Sequence, residues 1–109
     1  MYLDTTQVAK AALKAYKEGR LSAQGPTPEC AYRDSSGRPC AIGAAIPDKL
    51  AEVLTGSIFA IISTRGWRTN NIQGLSMLQA AHDDWVCGPK SRYREEDFVK
   101  VAVMLAGGV

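Results

Sequence analysis

The sequence predicts an α-dominant α+β fold: a small single domain over residues 1–109, with three to four helices and one short β-hairpin. Three observations carry this. Apolar residues recur at spacings of three and four in an early, a central and a C-terminal stretch, which is the period of an amphipathic helix. Asp34-Ser35-Ser36-Gly37 is strong turn chemistry with short arms on either side. A chain of 109 residues has the size of one domain, and no repeat or low-complexity tract divides it.

The first helix can be capped by Asp4, Thr5 or Thr6 and should run to Glu18. Val8, Ala9, Ala12, Leu13 and Tyr16 form its apolar stripe. Lys10, Lys14 and Lys17 form a basic outer face, and Gly19 stands where a left-handed cap belongs. Gly25, Pro26 and Pro28 make residues 22–29 an irregular connector. The hairpin is expected near Tyr32 to Arg38. A three-residue loop centred on Ser35 sets Cys30 opposite Cys40, and a four-residue loop shifts that pairing by one. Pro39 cannot donate to a ladder, which confines it to an edge or a very short arm.

Pro47 and Asp48 suit the start of a helix, expected to reach about Leu54 and end near Gly56. Residues 57–63 are uniformly apolar but too short to assign by period, and are expected to be buried. Asn70 or Asn71 can cap the next helix, in which Ile72, Leu75, Leu78, His82 and Trp85 share one face with Met77 and Ala81 beside them. Gly88-Pro89 should stop it. The last helix starts between 94 and 97. Phe98, Val101, Ala102 and Leu105 make one face, while Val99, Val103 and Met104 cover others, so this helix is expected at the centre of the core.

The composition is that of an ordinary soluble domain: 46% hydrophobic and 22% charged residues argue against global disorder. A net charge of +2 argues against an acidic nucleic-acid mimic and a histone-like binder alike. No apolar run approaches the roughly 20 residues of a membrane span, so no membrane partner is expected. The N-terminal residues lack the pattern of a secretory signal, which predicts the cytoplasm. Three cysteines cannot all pair within one chain and fit that compartment as reduced thiols.

Four constellations could carry function. Cys30, Cys40, His82 and Cys87 are the residue types of a zinc site. They lack the compact Cys-x-x-Cys spacing, and the plainer reading is small buried thiols beside a core histidine, with no metal and no cofactor. Cys40 with His82 and Asp83 has the logic of an activated thiol, because a neighbouring imidazole can take the thiol proton while a carboxylate orients it. Arg65, Trp67 and Arg68 are the types most enriched at binding hot spots. They suit a partner surface or a small-molecule or nucleotide sponge, unless Trp67 folds back to lid the core. Lys90-Ser91-Arg92-Tyr93-Arg94 could follow phosphates, with Arg92 and Tyr93 in contact with the partner. Glu95, Glu96 and Asp97 follow at once, so nucleic acid is not expected as the sole partner.

The pattern Cys30-x-Tyr32, Gly37-x-x-Cys40-Ala41-x-Gly43, Ile46-Pro47-Asp48 and then Leu78-Gln79-x-x-His82-Asp83 resembles a set of small uncharacterised proteins encoded by tailed bacteriophages and prophages. The match lies in two islands. The resemblance implies an accessory phage protein in the cytoplasm of a bacterial host. By analogy, it implies an inhibitor that binds a host protein or ribonucleoprotein complex, CRISPR–Cas and other defence assemblies included. A homodimer is compatible with that reading. The resemblance assigns no catalytic residue.

Overall fold

A computed structural model describes residues 1–21, 32–33, 37–54, 57–86 and 95–107. The chain opens with β1 (Tyr2–Leu3) and α1 (Thr5–Lys17), and a 3-10 turn follows at Gly43–Ala45. Then come α2 (Asp48–Ala51), α3 (Ile58–Arg65), β2 (Arg68–Thr69), α4 (Ile72–Val86) and α5 (Glu95–Leu105). The α-dominant α+β class is as expected, with five α-helices rather than three or four among the described residues.

Local chemistry explains the helix ends. The Asp4 carboxylate accepts the Gln7 N–H at 3.0 Å, which caps α1, and Gly19 takes a positive φ of 69° just beyond it. Ser57 caps α3 by accepting from the Ala60 N–H at 3.2 Å, and Asn71 caps α4 by accepting from the Gly74 N–H at 2.9 Å. Pro47 precedes α2, which stops at Ala51, short of the expected Leu54.

One core runs through these elements. α1 packs on α4, α5 and the 3-10 turn, while α4 packs on α3 and α5. Val8, Ala12 and Ala15 of α1 meet Leu75, Leu78 and Ala81 of α4, with Phe98 and Ala102 of α5, in a single apolar cluster. Two expectations are corrected. Residues 57–63 are not uniformly buried: Ile58 and Ile61 point inward, but Phe59 is half exposed. An eight-residue helix against one neighbour can hide only one face. α5 likewise buries Phe98 and Ala102 and leaves Met104 exposed, so it flanks the core rather than threading it.

Among the described residues the hairpin shows one antiparallel bridge, Arg33↔Pro39. The Cys40 N–H donates to the Tyr32 carbonyl at 3.4 Å, so Tyr32, not Cys30, lies across from Cys40. Residues 34–36 and Cys30 itself lie outside the described residues. The ladder that does form is parallel and unforeseen: Tyr2↔Arg68 and Leu3↔Thr69. It is extended by side chains. The Thr5 N–H donates to the Asn70 side-chain oxygen at 2.9 Å, and the Thr5 hydroxyl donates to the Asn71 carbonyl at 3.0 Å.

The irregular stretch from Tyr32 to Asp48 is held by Arg33. Its Nη1 donates to the carbonyls of Tyr32 (3.0 Å) and Gly43 (2.8 Å), and its Nη2 to the Ile46 carbonyl (2.8 Å). Nη2 and Nε both reach Asp48 Oδ1, at 2.8 and 3.2 Å. All five guanidinium N–H groups are therefore engaged. Gly43 must be glycine here, because a Cβ would collide with the Tyr32 carbonyl oxygen and crowd the guanidinium. Arg33→Lys and Gly43→Ala are each expected to lower unfolding free energy by about 2 kcal/mol or more. An ammonium cannot span these acceptors, and the carbonyl cannot move aside. Asp48→Asn should cost less than either, on the order of 1 kcal/mol, because the asparagine oxygen can still accept from the guanidinium and solvent screens the lost charge at this exposed site. Urea denaturation of the three variants checks the order.

Candidate functional site

Cys40 stands between the Pro39 bridge and the 3-10 turn, and it is buried. The Gly43 N–H points at its sulfur from 3.2 Å, and the Ile42 N–H also bonds to it. Such a pair of amides favours a thiolate, and the nearby Arg33 charge acts the same way. Burial outweighs them. It pushes the thiol up to about 11, with the Asp83 carboxylate adding to the rise. At neutral pH Cys40 is a protonated thiol, the reverse of what an activated nucleophile needs.

His82 belongs to an aromatic cluster. It is 2% exposed on α4, with ring centroids 5.9 Å from Trp85 and 5.8 Å from Phe98, both edge-on. Tyr16 of α1 closes the group at 5.8 Å from Trp85 and 5.9 Å from Phe98. Asp83 lies with its carboxylate 3.6 Å from His82 Nδ1. The expected helical face of Leu75, Leu78, His82 and Trp85 is therefore real, and it faces the core. Among the described residues no group of histidine, cysteine and acidic side chains is arranged to hold a metal. Cys30 and Cys87 lie outside the described residues.

The two islands of the sequence pattern meet in the interior. The buried Gln79 side chain of α4 donates from Nε2 to the Tyr32 hydroxyl at 3.2 Å, and its Oε1 accepts the Ile58 N–H at 3.3 Å. Gln79 thus satisfies a first-turn donor of α3 and a core tyrosine together. The pattern residues Tyr32, Cys40, Gly43 and Gln79 read as the architecture of this junction.

The segment from Arg65 to Arg68 divides. Gly66, at φ 66°, ends α3 and reverses the chain. Trp67 then enters the core at 9% exposure, and its N–H bonds to the Ile62 carbonyl. The Arg68 N–H bonds to the Met1 carbonyl at 3.0 Å, so the expected free loop tip is strand β2 paired to the N-terminus. Arg65 and Arg68 remain exposed; Trp67 does not present itself to a partner. Arg92 and Tyr93 lie outside the described residues.

Sequence reasoning missed an open groove of about 640 Å³ at the C-terminal end of α1. Glu18, Arg20, Arg33, Arg38 and Asp48 line it. Arg38 donates to the Gly19 carbonyl at 3.1 Å, and Arg20 pairs with Glu18 at 2.6 Å. The size suits a small ligand. Arg33, however, has every donor engaged within the fold, and each rim arginine already has a protein partner. The only local signal for this groove was the cluster of arginines flanking the turn. No protein-family model, no curated protein and no solved structure matches the chain.

The Cys40 environment sets a pH dependence. The thiol's folded value of about 11 exceeds its ordinary value of 9.0, so the unfolded chain releases the proton first as pH rises. The stabilisation is complete below about pH 9 and is lost through about pH 11. In a Cys30→Ser, Cys87→Ser background, Cys40 should react slowly with an aromatic disulfide at pH 8 when folded and promptly in denaturant. Fast labelling of the folded protein would restore the activated-thiol assignment.

Proposed function

We propose that this chain is a non-catalytic binding protein that acts by occupying a surface of a larger partner. In this reading it is a phage-type accessory inhibitor of a host protein or ribonucleoprotein complex in the bacterial cytoplasm, of the anti-defence kind. One observation carries the binding part. Cys40 and His82, the side chains that could do chemistry, are built into the core, with the thiol held protonated. Among the exposed charges, by contrast, Lys10, Lys14 and Lys17 stand on α1 and Arg65 and Arg68 at the α3–β2 corner. The resemblance to phage-encoded proteins supplies the biological context.

Capture of a stoichiometric partner from bacterial lysate, retained by Cys40→Ala, is the expected outcome. A Cys40-dependent turnover without a stable partner would overturn it. The α3–β2 corner separates stability from binding. Trp67→Ala should cost about 3–5 kcal/mol of stability, as for a large buried aromatic residue. Arg65→Ala combined with Arg68→Ala should leave the melting temperature unchanged. If this corner touches the captured partner as a hot spot, the double variant will bind about thirtyfold more weakly.

A further inference from the structure

α1 uses one face for the core and leaves the other to solvent. Thr5, Val8, Ala9, Ala12 and Ala15 are buried, whereas Lys10, Lys14 and Lys17 are exposed. At 100° per residue the three lysines fall within an arc of about 60°, and they climb about 10 Å along the axis. Beside them the half-buried Leu13 floors a shallow hollow of about 360 Å³, lined by Lys10, Leu13, Lys14, Lys17 and Glu18. Glu18 also lines the groove at the helix end, so the two depressions adjoin there. Arg20 and Arg38 carry the positive surface onward, with Arg38 tied to the Gly19 carbonyl.

The helix dipole accounts for cations in the last turn, Lys14 and Lys17. It does not account for Lys10, one turn earlier. Glu18 interrupts the strip, but its carboxylate is held by Arg20 at 2.6 Å.

We propose that this strip docks an acidic amphipathic segment of a partner protein. An apolar side chain of that segment sits on Leu13, and its carboxylates range over Lys10, Lys14 and Lys17. The proposal rests on the binding reading above and names the chemistry of the partner. Leu13 decides for polypeptide over nucleic acid. An apolar floor among lysines rewards a hydrocarbon side chain and offers a phosphate backbone nothing. Among the described residues that line the hollow there is no aromatic ring on which a base could stack.

The test uses fluorescence anisotropy with the whole chain and a labelled synthetic probe. The probe is a glutamate-rich peptide of about four helical turns with leucines at helical spacing. Its scrambled isomer and an oligouridylate of equal charge are comparators. The amphipathic peptide should bind saturably and more tightly than either comparator. Lys10→Glu with Lys14→Glu and Lys17→Glu should weaken it at least tenfold, and Leu13→Ser severalfold. Arg65→Ala with Arg68→Ala should leave it unchanged. Circular dichroism checks the fold, and the corresponding lysine-to-alanine set replaces the reversals if they disturb it. Equal or tighter binding of oligouridylate would overturn the proposal, as would indifference to the lysine changes or to Leu13→Ser. If a partner captured from lysate binds the lysine variant as tightly as wild type, the docking face is wrong and the binding reading stands. If the peptide binds as described but no host partner is ever captured, the face stands and the broader reading fails.

Discussion

The Arg33 guanidinium is the interaction on which the junction between the Tyr32–Arg33 arm, the 3-10 turn and α2 depends. It is nearly buried, and it donates to three backbone carbonyls of this stretch, those of Tyr32, Gly43 and Ile46, the first two of which also accept the backbone N–H groups of Cys40 and Ile46. A buried cation is costly unless its donors are met and its charge is balanced. Here the charge is balanced at the surface by Asp48, the first residue of α2. One side chain therefore orders the Tyr32–Arg33 arm, the 3-10 turn and the start of α2. The absence of a Cβ at Gly43 is what lets these backbones approach.

A second polar junction closes the other end. Thr5 bonds to Asn70 and Asn71 while its chain neighbours pair with β2, joining residues more than sixty apart in sequence. Gln79 plays the corresponding part inside, between Tyr32 and the first turn of α3. The three junctions share a logic. Short elements cannot satisfy their own backbone ends, and single polar side chains from distant segments do it for them.

This economy bears on function. The polar residues of the two-island pattern lie within the fold's own hydrogen bonding, and the histidine lies among aromatic rings. The surface left over carries both charged groups and scattered apolar side chains such as Val53, Phe59 and Met104. α1 is long enough to turn small residues inward and lysines outward, so its outer face is a continuous feature rather than a scatter of charges. The α3–β2 corner differs, because its aromatic residue is committed to the core and only the flanking arginines face water.

Features that local chemistry controls could be read from the order of residues. The caps of α1 and α4 were legible to within a residue or two, Asp4 among Asp4, Thr5 and Thr6 and Asn71 beside Asn70, as were the inward face of Leu75, Leu78 and His82 and the α-dominant class, because capping and helical period act within a few residues. The fate of Trp67 was not, since a tryptophan after a reversing glycine can lid a core or face a partner. Pairing of β2 with the N-terminus decided it. A two-residue parallel strand leaves no periodic trace, so β1 and β2 were invisible in the sequence. The role of Arg33 was hidden for the same reason. Its acceptors lie up to fifteen residues away across an irregular loop, and only the folded chain brings them within reach of one guanidinium. The state of Cys40 also required the tertiary structure: two amides beside the sulfur favour a thiolate, and only the depth of burial decided against it.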